Sequence, residues 1–287
     1  MVLQKLSSYI PVIKPNTKSK IMWDMLIIVI ISLFFFVIPA QICFDMFYDD
    51  ELEYFFHKYH FNPHVAELFI FFPEVFLMID TLSKFITGYY ENGVIVEDKL
   101  SIVHHYLKNG LLTDLLSYFP ILIQGIVKKF FPSFGFFLKI FQFLMFFKLK
   151  RVKTAILNFE AIIASNGKHD FFLSFCRMMA VIIFISHVNA CIWHSFAYYF
   201  PDDECCTWLD SSGLKNRHWT TKYIYSFYWA ISIMSTIGFD VKISPQNNLE
   251  CLGGACILFV SVLMFGYCLN TMKQLLDMMS SKENEYK

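Results

Sequence analysis

The sequence has 287 residues, is 56% hydrophobic with 34 phenylalanines, and carries no formal net charge at neutral pH. With a mean hydropathy of +0.48, it holds too much apolar surface for a soluble domain of this size, and a bilayer is the solvent that accepts it. No basic run points to nucleic acid. The eight cysteines (Cys43, Cys176, Cys191, Cys205, Cys206, Cys251, Cys256 and Cys268) lack C-x-x-C or Cys/His ligand spacing, so they read as small buried hydrophobes and no metal site is expected.

Crossing the hydrocarbon core takes about 20 apolar residues in a helix. The run IMWDMLIIVIISLFFFVIPAQICF, Ile21 to Phe44, is a first span; it lacks a small-residue cleavage site, so it does not read as a removable signal peptide. A second span is expected over 65–86, a third over 110–127, and a fourth, after a short loop, over 133–149. The fifth and sixth, 171–200 and 249–279, are the longest, and between them lies a semi-polar segment, 220–245, too short and polar to cross. Trp208 and Trp219 read as anchors at the membrane interface.

Charge orients these spans. Lys5, Lys14, Lys18 and Lys20 precede the first, and Lys148, Lys150, Arg151 and Lys153 follow the fourth. Asp45, Asp49, Asp50, Glu51 and Glu53 follow the first span, and Asp202, Asp203 and Glu204 follow the fifth. Positive residues stay inside, so both termini are expected in the cytosol and the acidic loops outside. Cys205 and Cys206 then lie in an outer loop, where disulfides are permitted.

The segment YIYSFYWAISIMSTIGFD, Tyr223 to Asp240, is expected to be re-entrant: a short helix over 223–235, then an extended turn. Irregular backbone at membrane depth survives only where it lines a cavity or is buried in protein. Ion filters strip hydration water with rings of backbone carbonyls. Thr236 supplies a hydroxyl for such a ring, and Gly238 the unusual dihedrals that turn carbonyls inward.

SFYWAISIMSTIGF resembles the pore helix and filter of potassium channels, whose signature is T-V/I-G-Y/F-G. One position departs. Asp240 stands where the family has a second glycine: either it replaces that glycine, or the glycine is deleted and Asp240 matches the aspartate that often follows. The front half is similar to channels of the cyclic-nucleotide-binding-domain superfamily (ether-à-go-go, hyperpolarisation-activated and cyclic-nucleotide-gated). Those show D-x-x-x-N-F-x-T-G, then Y-L, then D-L-L-S-x-x-P; Asp80, Phe85, Thr87, Gly88, Tyr106, Leu107, Asp114, Ser117 and Pro120 match, with Lys84 in place of the usual Asn. Trp23-Asp24 and Pro39 fit the family's first span, HVNACIW (187–193) its fifth and MFGYCLNTM (264–272) its inner helix.

The resemblance implies an all-α transmembrane, six-span fold: a cytosolic start over 1–20, a four-helix sensor-like domain over 21–153, a two-helix pore domain over 154–280 and a cytosolic tail over 281–287. It implies a homo- or heterotetramer with related subunits in the plasma membrane, conducting potassium or a less selective cation flow, with no cofactor beyond permeant potassium. Thr236, Ile237, Gly238, Phe239 and Asp240 would form the filter, and Gly266 a gating hinge or a packing site; Gly253 and Gly254 read as packing sites near the outer mouth. The family carries a cytosolic linker and nucleotide-binding domain after the last span; neither is in this sequence, so no cyclic-nucleotide site is expected here.

Ionisable residues inside spans default to functional roles. Glu74, Asp80 and Asp114 are expected counter-charges for cations at every third position of the fourth span. That series reads Lys139, Gln142, Met145, Lys148, Arg151, depleted of charge. One elementary charge moved is worth about 2.3 kcal/mol per 100 mV, so three per subunit supply roughly 28 kcal/mol per tetramer and one roughly 9. Shallow voltage dependence is expected. Set against it is a scaffold whose acids merely satisfy lysines.

Two other classes compete. A non-conducting modulatory subunit of a heterotetramer, or a truncated product, has the same fold and differs only in the pore. A histidine-box membrane metalloenzyme is the distant one: His57, His60 and His64, and His104-His105, fall on opposite sides by this topology, while His187 reads as an interhelical hydrogen-bond donor.

Overall fold

The computed structural model describes residues 11–44, 75–91, 93–117, 119, 141–153, 170–201, 206–238 and 241–285. The chain forms two compact units, one of residues 1–38 and 49–157, the other of 39–48 and 158–287. Three described helices are long and apolar enough to cross a membrane: Lys18–Phe44, Phe171–Tyr199 and Asn248–Asp277. They coincide with the first, fifth and sixth predicted spans. Much of the second, third and fourth lies outside the described residues.

Helix α1 (Lys18–Phe44), most of which belongs to the first unit, is charged in its first two turns and apolar almost throughout beyond them, as a helix meeting lipid and protein must be. The segment before it is stitched to the end of α2 (75–84): Ile13 N–H donates to Ile86 O at 2.8 Å and Gly88 N–H to Ile13 O at 2.9 Å. A short antiparallel hairpin follows, Tyr89–Glu91 paired with Val94–Val96, an element the all-helical reading misses. Asp98 caps α3 (Lys99–Asn109), accepting from the Ser101 N–H at 2.9 Å. Gly110 ends α3, and the chain re-enters a helix, α4, over 111–117. A Cβ on Gly110 would lie 2.7 Å from the Tyr106 ring, so only glycine lets that ring fold over the chain. Residues Gln142–Lys148 then wind as a 3-10 helix.

The second unit is built on tryptophan. Helix α5 (Asp170–Tyr199), the short α6 (Trp208–Ser211), α7 (Trp219–Met234) and α8 (Asn248–Glu285) surround a core of Trp193, Trp208, Trp229, Ile233, Ile243 and Ile257. Trp193 and Trp229 stack at 3.8 Å and 7°, and Trp208 stacks beyond Trp193 at 5.8 Å. Such pairs add roughly 0.5–1.5 kcal/mol beyond their buried area. Trp208 is therefore not an interface anchor: it is fully buried, and its indole N–H donates to Trp193 O at 3.4 Å. The sequence cue failed because a loop tryptophan beside acidic residues looks the same whether it faces lipid or folds inward.

His187 on α5 lies 3.0 Å from the Tyr223 hydroxyl on α7, an interhelical hydrogen bond in which either group can donate. Gly253 lies where α8 crosses α5, and any Cβ there would collide with the Phe196 ring. Gly266 is different: a Cβ at that position meets nothing within 4 Å among the described residues, so no packing there requires the glycine.

Candidate functional site

Two constellations stand out, one in each unit. The first is the turn after α7. This helix begins at Trp219, four residues ahead of expectation, because the His218 ring nitrogen Nδ1 accepts from the Thr220 N–H at 3.1 Å and caps it. At its far end Thr236 N–H donates to Ile233 O at 3.0 Å and Ile237 N–H to Ser232 O at 3.1 Å. Those two bonds close a Schellman motif, which normally places glycine at the left-handed position. Here that residue is Thr236, with φ of +58°. A β-branched residue in this region costs about 1–2 kcal/mol. Gly238 follows with φ of +96°, where a glycine is at ease.

Among the described residues of one chain the turn is exposed across 235–238, and the apolar Ile237 is 84% exposed. Phe239 and Asp240 lie outside the described residues. Downstream, the chain is tied down by Glu250, a fully buried carboxylate on the first turn of α8. It accepts from Gln246 N–H at 2.9 Å and from Trp208 N–H at 3.1 Å, fixing the segment between the turn and α8 against α6. Ser211 adds a bond from its hydroxyl to Lys242 O at 3.2 Å. Sequence reasoning missed Glu250; its one signal is Asn-x-x-Glu at a helix start, where Asn247 Oδ1 caps the Glu250 N–H at 2.8 Å. Beside it, Asp210 on α6 is held below the usual carboxylate range by Lys215, at 2.8 Å, and by the Thr207 hydroxyl.

The second constellation is an ion-pair network in the first unit. Asp80 on α2, fully buried, takes a two-pronged bond from Arg151: Nη1 to Oδ2 at 2.6 Å and Nη2 to Oδ1 at 3.3 Å. The Trp23 indole N–H also donates to Asp80, at 3.3 Å, and Arg151 reaches Asp24 at 3.1 Å. Asp114 on α4 pairs with Lys84 at 2.5 Å and Lys148 at 3.5 Å, and accepts from the Tyr106 hydroxyl at 2.6 Å. Lys20 sits 3.0 Å from Asp24 and 4.0 Å from Asp80. Burial, and then the neighbouring Asp114 carboxylate, push the Tyr106 phenol up, which keeps it a donor.

Of the sequence-predicted charges, Asp80, Asp114, Lys148 and Arg151 are brought together here; Glu74 and Lys139 lie outside the described residues. The every-third-residue stripe is a physical face, since Gln142, Met145 and Lys148 are all buried and a 3-10 helix aligns them. Lys20, Lys84, Asp24 and Tyr106 were not read as part of this network. Their pairing depends on which helices meet, which spacing along the chain does not encode.

Residues 19–272 match the family model described as ion transport protein. The chain belongs to the ion transport protein family. Among curated relatives, Potassium channel AKT1 of Arabidopsis thaliana is 23% identical over 217 residues, 74% of this chain and 24% of the relative. Potassium channel AKT2 of Oryza sativa subsp. japonica is 23% identical over 274 residues, 92% of this chain and 29% of the relative. The cyclic nucleotide-gated cation channel of Ictalurus punctatus is 25% identical over 218 residues, 74% of this chain and 29% of its own length. The chain thus spans roughly a quarter to under a third of the relatives it matches. It is a mostly helical chain of this family, with three described helices long and apolar enough to cross a membrane.

Proposed function

We propose that the chain is the pore-forming subunit of a tetrameric potassium channel with weak voltage dependence. The observation that carries this reading is the turn at Thr236–Gly238, exposed among the described residues of one chain and suspended between two helices long enough to span a membrane. Backbone of that kind at membrane depth needs other protein around it or a water-filled cavity beside it. Four copies about one axis supply both, because a single loop cannot replace an ion's hydration shell. Thr236, Ile237, Gly238 and Phe239 line the filter in this reading, and Asp240 places a ring of carboxylates at its outer mouth. Gly266 on α8 serves as a gating hinge or meets a neighbouring subunit.

The remaining spans complete six crossings, with both termini in the cytosol of a plasma-membrane protein. Lys139, Lys148 and Arg151 are the sensor cations and Glu74, Asp80 and Asp114 their counter-charges. Weak voltage dependence follows from the neutral Gln142 and Met145 in the stripe, each of which removes about 2.3 kcal/mol per 100 mV of driving energy.

Whole-cell recording of the chain expressed alone, with potassium and sodium exchanged and voltage stepped, tests this reading. A potassium-selective current with a shallow conductance–voltage curve is expected. A current that ignores the exchange moves the function to general cation flow. Surface expression without current favours the second reading, a modulatory partner in heterotetramers, which the departure at Asp240 specifically supports.

A further inference from the structure

The stripe that faces the buried carboxylates is lopsided. From the outer side, its described positions are Gln142, Met145, Lys148 and Arg151: two neutral, then two cationic. In this structure the two cations stand at Asp80 and Asp114. An inward shift by one stripe position brings Lys148 opposite Asp80 and the neutral Met145 opposite Asp114; a shift by two brings Met145 and Gln142 opposite the pair. Neither Met145 nor Gln142 carries charge, and a buried carboxylate that loses its partner is strongly disfavoured.

A cation that does not belong to the stripe is already in place. Lys84, one helical turn beyond Asp80 on α2, sets its ammonium 2.5 Å from Asp114 Oδ2 and 3.4 Å from Asp80 Oδ2. It therefore bridges both carboxylates at once. The Tyr106 ring lies 5.8 Å from the same ammonium, and the Tyr106 hydroxyl bonds the oxygen of Asp114 that Lys84 uses. Lys148 is left the other oxygen, at 3.5 Å.

We infer that Lys84 is a resident counter-cation: it keeps Asp80 and Asp114 paired while the neutral stretch Gln142–Met145 passes them, and it competes with Lys148 for Asp114. It is a positioning residue that sets the balance between sensor positions, and the inference rests on the voltage-sensing reading proposed above. Removing its charge strengthens the hold of Lys148 on Asp114 and, in the inward position, strands Asp114, whereas Asp80 keeps Lys20 at 4.0 Å. The outward position, with Lys148 and Arg151 at the carboxylates, then gains.

The test is voltage-clamp fluorometry with a dye at the outer end of the fourth segment, which reports sensor position with or without current. In Lys84→Met the inward–outward equilibrium at fixed voltage is expected to shift about tenfold toward outward. Lys84→Arg should retain the wild-type curve, and adding Met145→Lys to Lys84→Met should restore it, because the stripe then carries its own cation. A Lys84→Met curve that superimposes on the wild type overturns the inference.

If the wild-type signal ignores voltage, the sensor reading fails by itself. Lys84 is then judged by thermal unfolding of the purified full chain in detergent. A midpoint lowered in Lys84→Met and recovered by Asp114→Asn upholds the counter-cation; an unchanged midpoint overturns it.

Discussion

The two units of this chain are held together by opposite means. The first gathers four cations and three carboxylates (Lys20, Lys84, Lys148 and Arg151 with Asp24, Asp80 and Asp114) in a region of low dielectric. The second stacks three tryptophans and fills around them with Ile233, Ile243 and Ile257. Buried ion pairs contribute little net stability, but each is costly to break singly and has discrete alternative partners. An aromatic stack has one good arrangement and resists change. A region that must hold more than one state is better built the first way, and one that must keep a fixed aperture the second.

That contrast predicts a graded set of outcomes. The largest is at Asp80. Asp80→Asn takes the two-pronged partner from Arg151, which keeps Asp24 at 3.1 Å, and should destabilise the chain by about 3–5 kcal/mol, read as a lowered unfolding midpoint in detergent. The double change Asp80→Asn/Arg151→Met should recover most of the loss, whereas no such rescue is expected for damage to the tryptophan core. If the double variant is as unstable as the single one, the ion-pair account of the first unit is wrong.

Gly253→Ala comes next. The added methyl meets the Phe196 ring in a packed crossing, and overpacking of this kind costs roughly 1–3 kcal/mol. Thermal unfolding should show it, and pairing the change with Phe196→Leu should relieve it.

Thr236→Gly should go the other way. It releases the left-handed threonine and should stabilise the α7 terminus by about 1–2 kcal/mol, while altering ion discrimination measured by reversal potential. Unaltered selectivity would argue that the threonine is tolerated at this turn rather than used by it.

The smallest effect concerns the cap of α3. Asp98 is held below its ordinary value of 3.8 by its bonds to the Ser101 hydroxyl and N–H. A carboxyl depressed by folding stabilises the helix fully above its unfolded value, and that contribution fades as pH falls through the lower folded one. Amide exchange over 99–109 should therefore quicken only in acid, below about pH 4, and Asp98→Asn should flatten the dependence.

How far these features can be read from the sequence follows the same division. Span one and the last two spans were legible because twenty-odd apolar residues in a row admit few other readings, and α7 because its cue lies in the residues just before the turn. The shared face of 142, 145 and 148 was legible because its period is local. Lys84 and Lys20 were not, since a lysine near the end of a span looks like any interfacial lysine until the carboxylates opposite are known. Glu250 was hidden for the same reason: its partners, Trp208 and Gln246, come from the other side of a turn. Trp208 misled outright, because burial of a loop residue is decided by the helices it lands on.

The winding of residues 142–148 carries a mechanical consequence. An α-helix that must present the residue three positions along has to swivel by about 60° on its axis while it slides, because 3.6 residues make its turn. At three residues per turn and about 2.0 Å of rise, a 3-10 segment brings the next position into the same seat by a straight slide of roughly 6 Å. Under the voltage-sensing role proposed above, the 3-10 stretch Gln142–Lys148 would act as a rack rather than a screw: a stroke of one notch would change which of Gln142, Met145 and Lys148 meets the carboxylates without turning the segment.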